Sequence, residues 1–420
     1  MRKRNNALAV VIALIFCGIS GYTQNNNTSS PFSRFGLGDL SPYGFGRSAA
    51  MGGATLGSRH ALQINSANPA SYAGNDSLSF IFDFGVDGTF SRYKSNSGTR
   101  KTNDINFRYF SLAFPVTKWM GAGFGLQPYS DMGYDVGFTT IDSTSGIGNT
   151  SQRYFGLGTT SKAYFGASIR PLKGLSIGAN LNYIFGRLSK NTVFQFTDAS
   201  AFTYTKTEGI RLRDFTLTYG LQYDMKLKKD RYLTLGATFE KQSDFTILYQ
   251  SLALVGGTDT IKGSSEAKDI MKMPSTFGIG LSYNQINKLE INADYYHAAW
   301  SKAKFPGKED QLITDQNRYS AGVEYIPDAT SIRNYFKRVK YRAGIHHEDS
   351  YLTLNNHQIK ENGISFGLGL PFTKSKSTAN FAIEIGEKGT TDFKLVKNNY
   401  TKISLYLNFY DYWFVKRKFD

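Results

Sequence analysis

Residues 401–410 read Thr401-Lys402-Ile403-Ser404-Leu405-Tyr406-Leu407-Asn408-Phe409-Tyr410. Every second side chain from Ile403 is apolar: Ile403, Leu405, Leu407, Phe409. Those between, Ser404, Tyr406, Asn408 and Tyr410, carry polar atoms. A period of two marks a strand with one apolar and one polar face. One such strand fits a half-buried position in a soluble sheet equally well. Three things decide between that and a membrane wall: how often the pattern recurs, how the connections alternate, and where the chain is sent.

The pattern recurs from Ser77 to the end, in about 14 segments by the strand-reading rules. Leu289, Ile291 and Ala293 alternate with Glu290, Asn292 and Asp294 in the same way. Short connections such as Pro115–Lys118, Pro171–Gly174, Lys228–Asp230, Gln285–Lys288 and Phe372–Ser377 take turns with longer polar ones. The longer set is Ser95–Asp104, Asp131–Thr160, Ser189–Gly209, Tyr249–Lys272, Ser301–Asn317, Asp349–Asn362 and Glu387–Asn399. Outer-membrane barrels have short periplasmic turns and long external loops, with an even number of strands. The reading is therefore all-β: a transmembrane antiparallel β-barrel of about 14 strands over residues 77–420. Its apolar face meets lipid and its polar face lines the lumen. Asp83, Asp87, Arg108, Asp224, Glu290, Asp294, Glu324 and Glu384 fall on the lumenal face, which reads as a filled barrel.

The N-terminus sets the compartment. Arg2, Lys3 and Arg4 precede the apolar run Ala7–Phe16, and small residues follow at Gly18, Ser20 and Gly21. This is the order of a secretory signal peptide, read here as residues 1–23. The apolar run is too short for a spanning helix, which wants about 20 residues. Cys17 could serve a lipoprotein, but the bulky Phe16 stands before it. The leader carries the sole cysteine, so the mature chain is expected to have no disulfide. Residues 24–76, rich in Ser, Asn and Gly, lack long alternation and are read as an N-terminal plug within the lumen.

Composition agrees with a bacterial outer-membrane location. The 27 Tyr and 32 Phe suit aromatic girdles at two interfaces. The net charge is +16, three charges of which leave with the leader. Lys and Arg are dispersed rather than gathered as in a nucleic-acid binder. Outer-membrane lipid and lipopolysaccharide phosphates are the expected counter-charge.

Nothing in the sequence points to an enzyme, a cofactor or a metal. The five histidines, His60, His297, His346, His347 and His357, form no zinc pattern. His346 and His347 are adjacent in a strand and point to opposite faces. There is no Gly-x-Ser-x-Gly elbow.

Two motifs in the 24–76 segment resemble a known family. Gly46-Arg-Ser-Ala-Ala-Met51-Gly52-Gly53-Ala54, then Gln63-Ile-Asn-Ser-Ala-Asn68-Pro69-Ala70, resemble the plug of FadL/TodX-type outer-membrane proteins. Met273-Pro-Ser-Thr-Phe-Gly-Ile-Gly-Leu-Ser-Tyr283, followed by Ile291-Asn-Ala-Asp-Tyr-Tyr-His-Ala-Ala-Trp-Ser301, is similar to two strands of that family. The tail Trp413-Phe-Val-Lys-Arg-Lys resembles members from Bacteroidota. The resemblance implies a 14-stranded barrel that passes a hydrophobic small-molecule ligand, which leaves laterally through the wall. It implies no ligand-pocket residues in this chain. The same fold also serves as a non-transporting subunit, with outer-membrane protein partners, in secretion and assembly complexes.

The motifs also have plain readings. Gly52 and Gly53 suit positive φ or close packing, and Asn68-Pro69 suits a turn into the first strand. Asn68 is the candidate for holding plug to wall. Phe409, Trp413 and Phe414 end the last strand as an aromatic signal for the barrel-assembly machinery during biogenesis.

Overall fold

The computed structural model describes residues 27–41, 44–76, 79–140, 150–196, 202–257, 259–263, 267–306, 312–373 and 375–412. The leader, Trp413 and Phe414 lie outside the described residues. Among those described, fourteen antiparallel strands follow one another in chain order: β1 (Ser79–Ser95), β2 (Gly98–Pro115), β3 (Met120–Thr140), β4 (Thr150–Leu172), β5 (Leu175–Phe196) and β6 (Tyr204–Lys228). Then come β7 in two pieces (Arg231–Glu240 and Ser243–Val255), β8 in three pieces (Asp259–Gly263, Ala267–Met273 and Thr276–Gln285), β9 (Leu289–Ala298) and β10 (Gln316–Tyr325). The last four are β11 (Lys340–Leu354), β12 (His357–Pro371), β13 (Thr378–Gly389) and β14 (Lys397–Tyr412). β14 pairs with β1 from Tyr412↔Ser79 to Lys397↔Lys94, and this seam closes the sheet. Closure leaves no free edge at the ends of the sheet, as a membrane wall requires.

The alternation read from the sequence sorts the two faces. Ile403 and Phe409 point outward and are 46% and 41% exposed, whereas Ser404, Tyr406, Asn408 and Tyr410 are buried inside. Ile291 points out, while Glu290 and Asn292 point in. Outward rings meet across strands, as in Tyr295–Tyr319 and Tyr183–Phe215, with centroids 5.0 and 4.8 Å apart. This outward apolar band makes the barrel an outer-membrane one.

Five expected external loops are largely strand among the described residues: in Asp131–Thr160, Ser189–Gly209 and Tyr249–Lys272 the flanking strands run on well past the predicted ends, and two more are strand almost throughout. Ser95–Asp104 is a tight hairpin between β1 and β2, and Asp349–Asn362 is one between β11 and β12. Above the membrane a strand needs no apolar outward face, so its residues read as polar loop although the backbone ladder continues. Polarity even inverts there. On β6, Ile210 and Leu212 point inward and are buried, and Arg213 is exposed. With Ile184, Leu188, Phe245, Ile247 and Met271 they build an apolar cluster that fills the external half of the lumen.

Candidate functional site

The residues that depart from regular wall geometry are gathered at two breaks and at the N-terminal segment. The first break lies between β2 and β3. These strands pair only from Pro115↔Gly121 to Phe110↔Leu126. Above that point β3 bulges at Pro128–Ser130. Proline lacks the N–H a ladder needs, so a strand bends or stops pairing near it. The wall therefore opens above Phe110.

The N-terminal segment occupies this opening. A two-residue strand, Asp39–Leu40, pairs with β3 at Asp131 and Ser130. Asn27 donates from Nδ2 to Asp131 Oδ1 at 3.1 Å, and its carbonyl accepts from Asn106 Nδ2 on β2 at 2.8 Å. Ser29 Oγ donates to Asp104 Oδ1 on β2 at 2.9 Å. Residues 27–40 thus bridge the two strands that the ladder leaves apart.

The second break interrupts β7 at Lys241–Gln242 and β8 at Pro274–Ser275. β6 keeps register with β7 up to Leu212 and again from Thr218. In the stretch between, the Asp214 carboxylate accepts from the backbone N–H of Thr246 at 2.9 Å and of Phe215 at 2.8 Å.

A cavity of about 140 Å³ lies between the N-terminal segment and the wall, touching both breaks. Leu40, Phe45 and Leu56 line it from the segment; Tyr129, Met273 and Trp300 line it from the wall. Lys162, Glu240, Gln127, Asn180, Asn182 and Gln316 add polar groups to its lining, so it is part apolar and part polar. Its size is that of an engineered apolar cavity of about 150 Å³ that binds a benzene ring.

The remainder of the segment is fastened to the inward face of the wall. Asn68 is fully buried. Its Nδ2 donates to the carbonyls of Leu56 at 2.9 Å, Leu221 on β6 at 3.2 Å and Ala237 on β7 at 3.4 Å. Its Oδ1 accepts from Ala70 N–H at 3.1 Å, capping the short 3-10 turn that begins at Pro69. Gly46, Gly52 and Gly53 have φ of 59°, 66° and 86°, which glycine alone adopts at no steric cost. Gly52 N–H donates to Ser365 Oγ at 2.9 Å, and Met51 lies fully buried against Gly322 and Gly344. The Asp294 carboxylate accepts from the N–H groups of Thr55 and Leu56 at 2.5 and 2.8 Å. Phe409, by contrast, is on the outward face, stacked on Phe82 with centroids 6.1 Å apart.

Sequence reading placed Asp87, Arg108, Glu290, Glu324 and Glu384 on the lumenal face but missed the residues Arg47 and Arg342 that join the glutamates into a cluster holding this assembly. Arg47 Nη2 meets Glu290 at 2.7 Å and Arg47 Nε meets Glu324 at 3.5 Å, while Arg342 Nε meets Glu324 at 2.6 Å. Ser58 Oγ donates to the other Glu290 oxygen at 2.7 Å. Burial alone would lower the Arg47 pKa, but the two glutamates raise it above its usual value. His60, nearby, is held well below 6.5 by burial and then by Arg47 and Lys340. Arg108 pairs with Asp87. Higher up, His346 comes together with Glu361 and Glu384, brought in from the next two strands. Lys388 and Lys402 already balance these glutamates at 3.6 and 3.3 Å. A lone Arg47 within a run of small residues was the available signal.

The arrangement defines a 14-stranded outer-membrane barrel whose lumen is occupied by its own N-terminal segment and whose wall is breached between β2 and β3. The chain belongs to the BamG family, whose model matches residues 1–420. No curated protein matches it by sequence. Among solved structures it is similar in fold to the CymD monoaromatic hydrocarbon channel, at 16% identity and a TM-score of 0.57, covering 90% of this chain and 99% of that one. It is similar also to the Ralstonia pickettii toluene transporter TbuX (16% identity, 87% and 98% covered, TM-score 0.56). A third likeness is to the P. putida toluene transporter TodX (17% identity, 90% and 100% covered, TM-score 0.55). These neighbours are channels and transporters.

Proposed function

We propose that the chain passes hydrophobic small molecules across the outer membrane, with residues 24–76 acting as a plug and the β2–β3 opening as a lateral exit. The observation that carries this reading is a cavity, sized for one aromatic ring, lying directly behind a wall opening stoppered by Asn27–Leu40. A hydrophobe entering the cavity gains by leaving water. Displacing the two-residue strand at Asp39–Leu40 then gives it a path into the bilayer core. Asn68 and the Gly46–Gly53 turn hold the rest of the plug in place, so the movement is confined to its first part. Phe409, with Trp413 and Phe414, serves biogenesis and not transport.

The test is a reversible lock. Leu40→Cys with Ser130→Cys places two thiols on directly paired residues. Uptake of labelled toluene into cells expressing this variant is expected to stop on oxidation and return on reduction. Uptake indifferent to the lock would overturn the lateral route.

A second reading, not favoured over transport, is that of a non-transporting subunit in an outer-membrane assembly complex. The external half of the lumen is packed with apolar side chains, and the family name BamG belongs beside barrel-assembly proteins. Stoichiometric co-purification with other outer-membrane proteins, together with absent toluene uptake, would replace transport with this role.

A further inference from the structure

We propose that the outer wall over β1, β2 and β9–β14 is a binding site for a phosphorylated, multiply acylated lipid of the external leaflet. The site lies on the lipid-facing side and is independent of the transport reading.

Its origin is a dent in the wall. Gly322 and Gly344 are direct cross-strand partners facing inward, and the Met51 backbone fills the space their side chains would take. Gly363 and Gly386, also paired, are covered instead by the rings of His346 and Tyr400 from adjoining wall strands. With no side chains to hold it off, the sheet presses in on the N-terminal segment. The outer surface becomes concave, enclosing about 1250 Å³.

The floor of the concavity is apolar. Phe90, Ile345, Ile364 and Ile385 point into it and are more than half exposed. The last three stand directly opposite one another across β11, β12 and β13. A dent in a membrane wall must be filled by acyl chains, because the bilayer offers nothing else there.

The rim is cationic. Arg92 stands opposite Lys101, and two residues higher Lys94 stands opposite Lys397. Like charges directly opposite on one face of a sheet destabilise it. Lys397 holds Glu387 at 2.7 Å. Arg92, Lys94 and Lys101 are exposed and, among the described residues, have no carboxylate within ion-pair distance. Two and four residues beyond Phe90, they sit about 5–15 Å above the apolar floor, the depth of headgroup phosphates. An anion among these three relieves their repulsion and accepts charge-assisted hydrogen bonds from a guanidinium fork and two ammonium groups. Basic clusters beside membrane-spanning elements recognise phosphorylated headgroups in this manner. Anionic head and several chains therefore belong to one molecule, with the chemistry of lipid A.

The test uses the full-length protein in mild detergent, titrated with bisphosphorylated lipid A and read by native mass spectrometry. The wild-type chain is expected to retain lipid A, and to bind its dephosphorylated form more weakly. Arg92→Gln/Lys94→Gln/Lys101→Gln removes charge-assisted contacts and should weaken lipid A binding at least about tenfold. Ile364→Trp, which fills the dent without changing charge, should also reduce retention. Heat-modifiable mobility on gels checks that both variants fold; losing like-charge repulsion should leave the triple variant no less stable. Equal binding by the triple variant, or equal affinity for dephosphorylated lipid A, would overturn the proposal. So would loss of a co-purifying protein in place of lipid.

Discussion

Arg47 of the N-terminal segment reaches Glu290 on β9 at 2.7 Å, and both side chains are less than a tenth exposed. Removing the arginine leaves a buried carboxylate facing the segment without its cation. Breaking a buried pair from one side costs roughly 3–5 kcal/mol. Arg47→Met is expected to free residues 44–58 while the barrel stays closed, since Glu324 keeps Arg342. Hydrogen exchange by peptide, comparing 44–58 with β13 and β14, checks this; uniform protection in the variant would contradict it.

Asn68 presents a harder substitution problem. Its amide donates to three carbonyls while its oxygen accepts from Ala70. Asn68→Ala should loosen the segment by about 1–3 kcal/mol. Asn68→Asp should do worse than alanine, because a carboxylate would face the same three carbonyl oxygens. Protease cleavage within 55–76 should therefore rise in the order wild type, Ala, Asp. Aspartate proving milder than alanine would remove the assigned donor role.

Acid should loosen the same segment through His60. Docked, His60 stays neutral, because burial with Arg47 and Lys340 holds it well below 6.5. Detached, it takes up a proton near its ordinary value. The detached state thus binds more protons below about 6.5, and docking weakens as pH falls through that window. Above it His60 contributes no pH dependence. Exchange protection of residues 55–62 should be lower at about pH 5 than at about pH 8, and His60→Gln should flatten the difference.

Gly344 tests the close approach of segment and wall. A methyl group there would run into the backbone of Met51 and Gly52. Gly344→Ala should displace the Met51 turn, with a cost of about 1–3 kcal/mol as for overpacked interiors. The measurement is protease sensitivity at 44–54 in a barrel that still shows heat-modifiable mobility. Gly88→Ala is the control, since its added methyl meets nothing closer than 3.9 Å.

The membrane-embedded strands were legible because one face is forced to be apolar: Ile403 to Phe409 and Leu289 to Ala293 need nothing but alternation. Legibility fell where that force ends. Ser95–Asp104 and Asp349–Asn362 read as loops because a strand in water has no obligatory apolar face. Ile210 and Leu212 faced inward, against the rule that served lower down, because there the lumen is a packed apolar interior. Within the candidate site, Asn68 was readable from its proline and its place before a turn. The β2–β3 opening was not, since a missing ladder is a property of two strands far apart in sequence. Pro128 was its sole trace.

The two seams that flank β1 and β2 differ in mechanical strength. Along β14 and β1 the strands are stitched from Ser79 to Lys94, whereas β2 and β3 share only the stretch from Phe110 to Pro115. Under lateral tension the cylinder would tear at the short seam, and above Phe110 the tear would meet no further β2–β3 ladder, only the two residue pairs that Asp39–Leu40 makes with β3. The chain's own leading residues are the suture across that line. A stretched or thinning bilayer would load this suture first, so the barrel carries a built-in direction of failure that points into the membrane.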